Sequence, residues 1–353
     1  MSVIAFSAPT RVADLGGWTD TWFSGHGAVC HLAVWPGVEV TLGPTDGPAG
    51  VEVRLHNFDR EWHWTPGTPA QACPDPLIGA CLDEAEVPDG SWLLEVGSRV
   101  PPGASMGTSA SLCVALLAAL DALRAANGID VPEADAAIAA YARRAHQVET
   151  VRLELQSGVQ DQWAAAAGGI GLIEIDGYPA ARRTELQVAE DTREALQRQL
   201  VVVLLERGHK SSAVHGQVSS ALAVAGPRDP RLEALRACAR DGARTLEAGD
   251  LLAYGAVMVR NTEAQGALQP AIVSDEARAV MTVAREAGAL GWKINGAGGP
   301  GGSLAVLATD RDAFIERLAA DCPWASVLGV RLATHGVEAV TRPVWGVASD
   351  TRS

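Results

Sequence analysis

The sequence predicts an α+β protein built from two lobes, and three observations carry that reading. A chain of 353 residues that is 48% hydrophobic and 20% charged is long enough for two packed units and apolar enough to give each a core. Strand-type patterning fills the first hundred residues, helical periodicity replaces it, and a second alternation of strands and helices begins near residue 170. A polar and charged stretch, 177–199, lies between two apolar strands and marks the expected boundary, giving units of 1–190 and 191–353.

In chain order, Ala28 to Val34 and Val38 to Leu42 are short β-prone runs on either side of the turn signal Pro36-Gly37. Val51 to Leu55 alternates apolar with charged residues as a half-exposed strand does, and Trp92 to Val96 is a further strand. Ser109 to Ala126 and Glu133 to Leu155 are rich in Ala and Leu and long enough for helices, with Asn127-Gly128 and Pro132 breaking the chain between them. A strand over Gly171 to Ile175 ends at the turn Asp176-Gly177, and the valine-rich run Leu200 to Leu205 suits a fully buried strand. Helical patterns follow at 211–224, 230–247, 249–264 and 273–288. Trp292 to Ile294, a glycine loop and Leu304 to Leu307 come after them.

Acidic residues outnumber basic ones 42 to 28, for a formal net charge of −14, which opposes a general nucleic-acid or anionic-membrane partner. Only Lys210 and Lys293 are lysines; the other cations are arginine. Six scattered cysteines without a Cys-x-x-Cys match reduced intracellular thiols rather than a disulfide or zinc framework. The first residues lack the pattern of a signal peptide, and apolar runs such as Leu112 to Leu120 are too short for a bilayer, so a cytoplasmic protein is expected. There is no His-Glu-x-x-His, no Gly-x-Ser-x-Gly and no Cys/His ligand spacing. Ten tryptophans include Trp18, Trp22 and Trp163 close to polar motifs, where either packing or stacking on a ligand suits them.

Four segments carry chemistry. Val100-Pro101-Pro102-Gly103-Ala104-Ser105-Met106-Gly107-Thr108-Ser109-Ala110-Ser111 runs directly into an apolar helix. Small residues let backbone approach a ligand, and a helix capped by Thr108 or Ser109 would aim its first N–H groups and positive dipole end into the loop as a phosphate cradle. It is not a Walker A loop, and an ordinary glycine turn before a capped helix has the same appearance. In Ala8 to Asp20 a strand enters the turn Gly16-Gly17, leaving Arg11 and Asp20 as polar groups. Such an arginine can stabilise transferring phosphoryl charge and such an aspartate can accept from sugar hydroxyls; a surface ion pair is the other reading. Glu149, late on a helix, and Asp161, past Gly158, suit separate jobs as a metal ligand and a base for an alcohol, or are solvated helix-end charges. Finally, Gly296, Gly298 and Gly301 satisfy G-x-G-x-x-G, but the β-like Ser303 to Ala308 that follows makes this a loop between strands rather than a dinucleotide site.

Taken in order, these segments resemble the motifs of the GHMP kinase superfamily, named for galactokinase, homoserine, mevalonate and phosphomevalonate kinases. Ala8 to Asp20 is similar to its first motif, Pro101 to Ser111 to its Pro-x-x-x-Gly-Leu-Gly-Ser-Ser-Ala phosphate loop, and Lys293 to Ser303 to its Gly-Ala-Gly-Gly-Gly motif. Gly16-Gly17-Trp18-Thr19-Asp20-Thr21 and Gln160-Asp161-Gln162-Trp163 are most similar to L-fucokinases and bacterial heptose-7-phosphate kinases, and the Gly-Glu-His-Thr-Asp of galactokinase is absent. In this chain Ser105-Met106 stands where the motif has Gly-Leu, Thr108 replaces the first serine, and Pro300 interrupts the last glycine run.

The resemblance implies an N-terminal domain like the second domain of ribosomal protein S5, a ferredoxin-like C-terminal domain, and MgATP between them. It implies Asp161 as catalytic base with Arg11 beside it, and Ser109 and Glu149 as magnesium ligands. Pro102, Gly103, Ala104, Ser105, Gly107, Thr108, Ser109 and Ala110 would hold the nucleotide phosphates. Gly17, Trp18, Thr19, Asp20, Gly296, Ala297, Gly298 and Gly299 would contact the acceptor, with Lys210 available for an acceptor that already carries phosphate. The activity implied is phosphorylation of a sugar, at the anomeric C1 hydroxyl of a fucose-like hexose or a related sugar. A heptose 7-phosphate C1 kinase and a non-catalytic sugar and ATP sensor are the alternatives. The expected assembly is a monomer or homodimer. A local cluster of Arg11, Lys210 and Lys293 is expected to focus positive potential on phosphate within the acidic surface.

Overall fold

An 18-residue strand, β2 (Gly27–Pro44), organises the larger of two sheets. The expected turn at Pro36-Gly37 does not break it, because both halves pair with β1 (Ile4–Leu15), Thr41 opposite Ala5 and Leu32 opposite Val12. Its first half pairs with β6 (Ile170–Gly177) and its second with β5 (Ser91–Ser98), so one strand serves two regions of the sheet. β3 (Gly50–Leu55) lies parallel to β5 and antiparallel to β4 (Arg60–Trp64), and β7 (Ala180–Glu185) extends β6. The computed structural model describes residues 3–131, 134–205, 216 and 226–341. The helix expected over 211–224 falls outside these residues except for Gly216, as do His209 and Lys210.

The smaller sheet has four antiparallel strands in the order β11 (Ala325–Leu328), β8 (Leu200–Leu205), β10 (Ser303–Leu307), β9 (Gly291–Ile294). β8 is buried along nearly its whole length, as its unbroken apolar run requires. After β11 the chain returns to the larger sheet, where β12 (Arg331–Leu332) pairs with β2 and β13 (Glu338–Ala339) with β1.

On the larger sheet, α1 (Pro76–Glu84) starts at Asp75, whose carboxylate accepts the Leu77 and Ile78 N–H groups, with Pro76 in the first turn. The helix α2 (Thr108–Ala126) is apolar on most sides and packs on β1 and β2, inside a core that includes Leu116, Leu117, Leu120 and Val40. By length and composition it is the one helix among the described residues able to cross a membrane, and two thirds of it (67%) is buried inside the protein. The helix α3 (Ala134–Gln147) stops short of the expected Leu155: Val148–Arg152 forms a wider π turn, closed by the Leu153 N–H on the Val148 carbonyl at 3.2 Å. The short helix α4 (Gln160–Ala167) then begins.

Between and around the sheets lie α5 (Glu190–Gln199), α6 (Pro230–Glu247), α7 (Leu251–Leu268), α8 (Asp275–Glu286) and α9 (Arg311–Asp321). Four of these begin at a residue whose side chain accepts a first-turn N–H: Asp229, Asp250, Ser274 and Asp310. One core joins the sheets, since Val12, Leu15 and Cys30 of the first pack with Val202, Ala305 and Leu307 of the second and with Tyr254 of α7. All six cysteines are free thiols and buried.

Candidate active site

The chain leaves β5 through a clamp: the Asn57 amide accepts the Ser98 N–H at 2.7 Å and donates to the Ser98 carbonyl at 2.6 Å. The loop beyond it exposes Pro101, Pro102 and Gly103, buries Ala104 and Met106, and enters α2. Where the motif carries glycine, Ser105 holds a left-handed backbone (φ 57°), so the backbone turns as a glycine would, at a local cost of about 1–2 kcal/mol. Met106 fills the leucine position and is wholly buried. Helix α2 is capped by Gly107 and not, as expected, by Thr108 or Ser109; no side chain takes its first N–H groups, which stay directed at the loop mouth. Gly107 is required twice: its φ is 76°, and a methyl group there would lie 3.0 Å from Asp161 Cγ.

That approach brings Asp161, in the first turn of α4, to the phosphate loop. Arg11 of β1 donates through Nε to Asp161 Oδ1 at 2.8 Å and through Nη2 to Oδ2 at 3.3 Å, while Nη1 donates to the Ser105 carbonyl at 2.5 Å. Burial works against the Arg11 charge, but Asp161, Asp14 and Asp20 around it hold its pKa above the ordinary range. Asp161 keeps a quarter of its side chain accessible (26%), whereas Arg11 is buried. An accessible, arginine-braced carboxylate of this kind can accept a proton from an alcohol.

Asp20 is buried beneath the same opening, with its Oδ2 accepting the Gln160 N–H at 3.0 Å. A methyl group on residue 158 would fall 2.1 Å from Asp20 Oδ2, so only glycine permits this packing. Burial, with the negative charges of Asp161 and Asp14, pushes the Asp20 carboxyl up to about 6. Glu149 is brought inward by the π turn and is buried; its Oε2 accepts the Ser157 hydroxyl at 2.8 Å and the Gln162 amide at 2.5 Å. Burial raises its pKa, and Asp161 adds to this, against hydrogen bonds from Ser157, Gln162 and Ser109 that lower it. Tyr178, from the turn between β6 and β7, braces the 153–159 segment, donating to the Ser157 carbonyl and meeting His146 Nε2, both at 2.9 Å.

These groups surround a cavity of about 160 Å³ lined by Arg11, Trp18, Asp20, Gln160, Asp161 and Ala297 among others. The structure thus brings together Arg11, Asp161, Asp20, Trp18, Gly296 and Ala297 from the expected set. It does not bring Gly17, Thr19, Gly298 or Gly299 to this wall. The Thr19 hydroxyl is taken up within its own turn, donating to the Gly16 and Ala28 carbonyls, and the Gly299 N–H is held by the Ile272 carbonyl. The glycine loop joins β9 to β10, as its β-like sequel predicts, and Pro300 lies exposed at its tip. Lys293 departs from expectation: it is wholly buried and paired with Asp14 at 3.3 Å, so it does not present charge to phosphate. Lys210 lies outside the described residues. Asp14, Gln160 and Gln162 lie inside the resembling motifs without a role assigned to them, and Ser157 and Tyr178 reach the site through folding.

A second, larger groove of about 610 Å³ opens at the other end of the phosphate loop, lined by Trp35, Asn57, Ser98, Arg99 and Arg331 among others. Glu149 and Ser109 offer magnesium two hard oxygen ligands already linked by a hydrogen bond. Among the described residues no group of three or more His, Cys, Asp or Glu converges on one point. One carboxylate and one hydroxyl fit a magnesium ion that takes its remaining ligands from substrate phosphates and water.

A helix start without a side-chain cap, a carboxylate braced by arginine and a buried second carboxylate come together between the two sheets, an arrangement that suits a phosphotransferase with an alcohol acceptor. Residues 78–169 match the family model described as GHMP kinases N terminal domain. The chain is 29% identical to a mevalonate kinase of Methanothermobacter thermautotrophicus over 238 residues, 65% of this chain and 68% of that one. It is 23% identical to the D-glycero-alpha-D-manno-heptose 7-phosphate kinase of Campylobacter jejuni over 214 residues, 60% of each chain. Its fold matches a crystal structure of a D-glycero-D-manno-heptose 1-phosphate kinase from Bacteroides thetaiotaomicron with a TM-score of 0.72, at 17% identity and with 97% of this chain and 100% of that one covered. Residues 78–169 thus carry the GHMP kinase N-terminal domain, and the chain as a whole is similar in sequence and in fold to kinases of that family.

Proposed function

We propose that this protein is an ATP-dependent sugar kinase that phosphorylates the anomeric C1 hydroxyl of a fucose-like hexose or a related sugar. The observation that carries the reading is the Arg11–Asp161 pair, 2.8 Å apart, at a cavity that also holds Asp20 and abuts the phosphate loop. The cavity volume of about 160 Å³ suits a monosaccharide-sized acceptor, and carboxylate, amide and hydroxyl groups line it as sugar recognition requires. The base and ribose of the nucleotide fit the larger groove beside Asn57 and Ser98, with the triphosphate running along 102–110. The units 1–190 and 191–353 are proposed as the two domains that flank it, with β12 and β13 of the second returning to the sheet of the first.

MgATP, when bound, supplies the γ-phosphoryl group and shields its charge. Asp161 orients the acceptor hydroxyl and takes its proton at a carboxylate oxygen, and Arg11 keeps that carboxylate in place and offsets charge that develops on the transferring group. Ser109 and Glu149 would hold the metal, the N–H groups at the start of α2 would hold phosphate oxygens, and Asp20 would accept from a second acceptor hydroxyl.

Similarity to the Campylobacter heptose kinase favours a second reading, a heptose 7-phosphate acceptor. Such an acceptor needs a cation for its own phosphate. Among the described residues lining the cavity the one cation is Arg11, which Asp161 already engages, so Lys210, outside the described residues, is the candidate for that role. An ATP-consumption screen over hexoses, uronic acids, pentoses and heptose 7-phosphate, with product position read by phosphorus NMR, tests the assignment. Asp161→Asn is expected to unfold like wild type and to lose about 10²–10⁴-fold in turnover. Sugar binding without turnover on any acceptor would instead make the protein a sensor.

A further inference from the structure

Lys293 of β9 and Asp14 of β1 are both wholly inaccessible, and Nζ stands 3.3 Å from Asp14 Oδ1. The ammonium also donates to the Ile294 carbonyl. Both Asp14 oxygens accept the Gly296 N–H at 3.2 Å, and Arg11 Nη1 is 4.0 Å from Oδ1. One carboxylate therefore faces a cation of its own strand and both a cation and an N–H of the other sheet. Arg11 in turn lies between two carboxylates, Asp161 at 2.8 Å and Asp14 at 4.0 Å.

We infer that Asp14, neutralised by Lys293, is a positioning residue that sets Arg11 and the Gly296 turn in the geometry needed for phosphoryl transfer. Stability alone does not account for the pair. Taking two charges out of water costs several kcal/mol per ion, and replacing a buried ion pair with packed apolar side chains is commonly neutral or stabilising. What an apolar pair cannot do is hold the Gly296 N–H and pull the Arg11 guanidinium against the attraction of Asp161. Arg11 and Gly296 both line the acceptor cavity, so the pair acts on the site through them. Neighbouring contacts fix the same seam: the Ala13 N–H donates to Asn295 Oδ1 at 2.9 Å and the Gly16 N–H to Asn261 Oδ1 at 2.7 Å.

The inference rests on the kinase reading, and its test separates the two. In the full chain, Asp14→Asn combined with Lys293→Met removes both charges and leaves no buried ion unpaired. Its urea midpoint is expected near that of wild type. Its kcat is expected to fall at least tenfold and its acceptor KM to rise, with the ATP KM unchanged.

Asp14→Glu keeps the charge and moves the carboxylate by one methylene; it supplies the decision if the double variant does not fold, with the same tenfold loss expected. A folded variant of either kind with kcat and acceptor KM within twofold of wild type overturns the inference. Wild-type protein inactive on every acceptor overturns the kinase reading and the inference together, whereas active wild type with unaffected variants overturns the inference alone.

Discussion

Replacing Asp20 with asparagine should stabilise the protein while impairing it. Asp20 is 1% exposed, and burial, with Asp161 and Asp14 nearby, raises its carboxyl from an ordinary 3.8 to about 6. In the unfolded chain the group ionises near 3.8; in the folded protein it does so near 6. Between those values the folded state binds the extra proton, so stability is full below about pH 4 and falls as pH rises through about 6. A difference of about two pH units corresponds to about 3 kcal/mol against the ionised form above pH 7. Asparagine removes that penalty and its side-chain oxygen can still accept the Gln160 N–H, which Asp20 holds at 3.0 Å. Urea unfolding at pH 4 and pH 8 measures the effect. Asp20→Asn should gain about 1–3 kcal/mol over wild type at pH 8 and about none at pH 4, with acceptor KM raised at least tenfold. A variant whose advantage is equal at both pH values, or absent at pH 8, would refute the assignment of a raised carboxyl at this position.

Two further substitutions probe the scaffold. Gly107→Ala forces a side chain into a left-handed backbone and against Asp161, so a loss of about 1–2 kcal/mol in unfolding free energy and a larger fall in kcat than in ATP affinity are expected, read by urea titration and steady-state kinetics. Tyr178→Phe leaves the Ser157 carbonyl and His146 without their hydroxyl partner; it should cost about 1–2 kcal/mol and raise acceptor KM while sparing ATP KM, and an unchanged acceptor KM would disconnect the 153–159 segment from substrate.

What the sequence discloses and what it hides follow a physical division. Helix α6 is expected over 230–247 and found there, because its apolar period and the Asp229-Pro230 start are local signals. The strand β7 is illegible: Ala180–Glu185 lies exposed at the sheet surface and needs no apolar alternation. Helix α3 stops at Gln147 although the Ala/Leu pattern runs to Leu155, since the Thr150 hydroxyl bonds back to the His146 carbonyl at 2.8 Å within a wider turn that carries Glu149 inward. The phosphate loop and the Arg11–Asp161 pair are legible through motifs. Asp14 is not, because an acid in an apolar strand looks the same whether it meets water or, 279 positions later, a lysine. The same blindness explains why Lys293 reads as a phosphate-facing cation until its partner is visible.

The return of the last described strands to the first sheet has a consequence for biogenesis. β13 covers the outer edge of β1 at Phe6 and Ser7, and β12 covers β2 at Val34 and Trp35. On the ribosome these positions wait, unpaired, while some three hundred further residues are made. Until then the nascent chain presents a strand edge open to stray pairing, a hazard that pairings so distant along the chain, slow to form, prolong. Shortening the chain before residue 331 would make that transient edge permanent, so truncated products should aggregate even though every residue lining the acceptor cavity lies upstream of the cut.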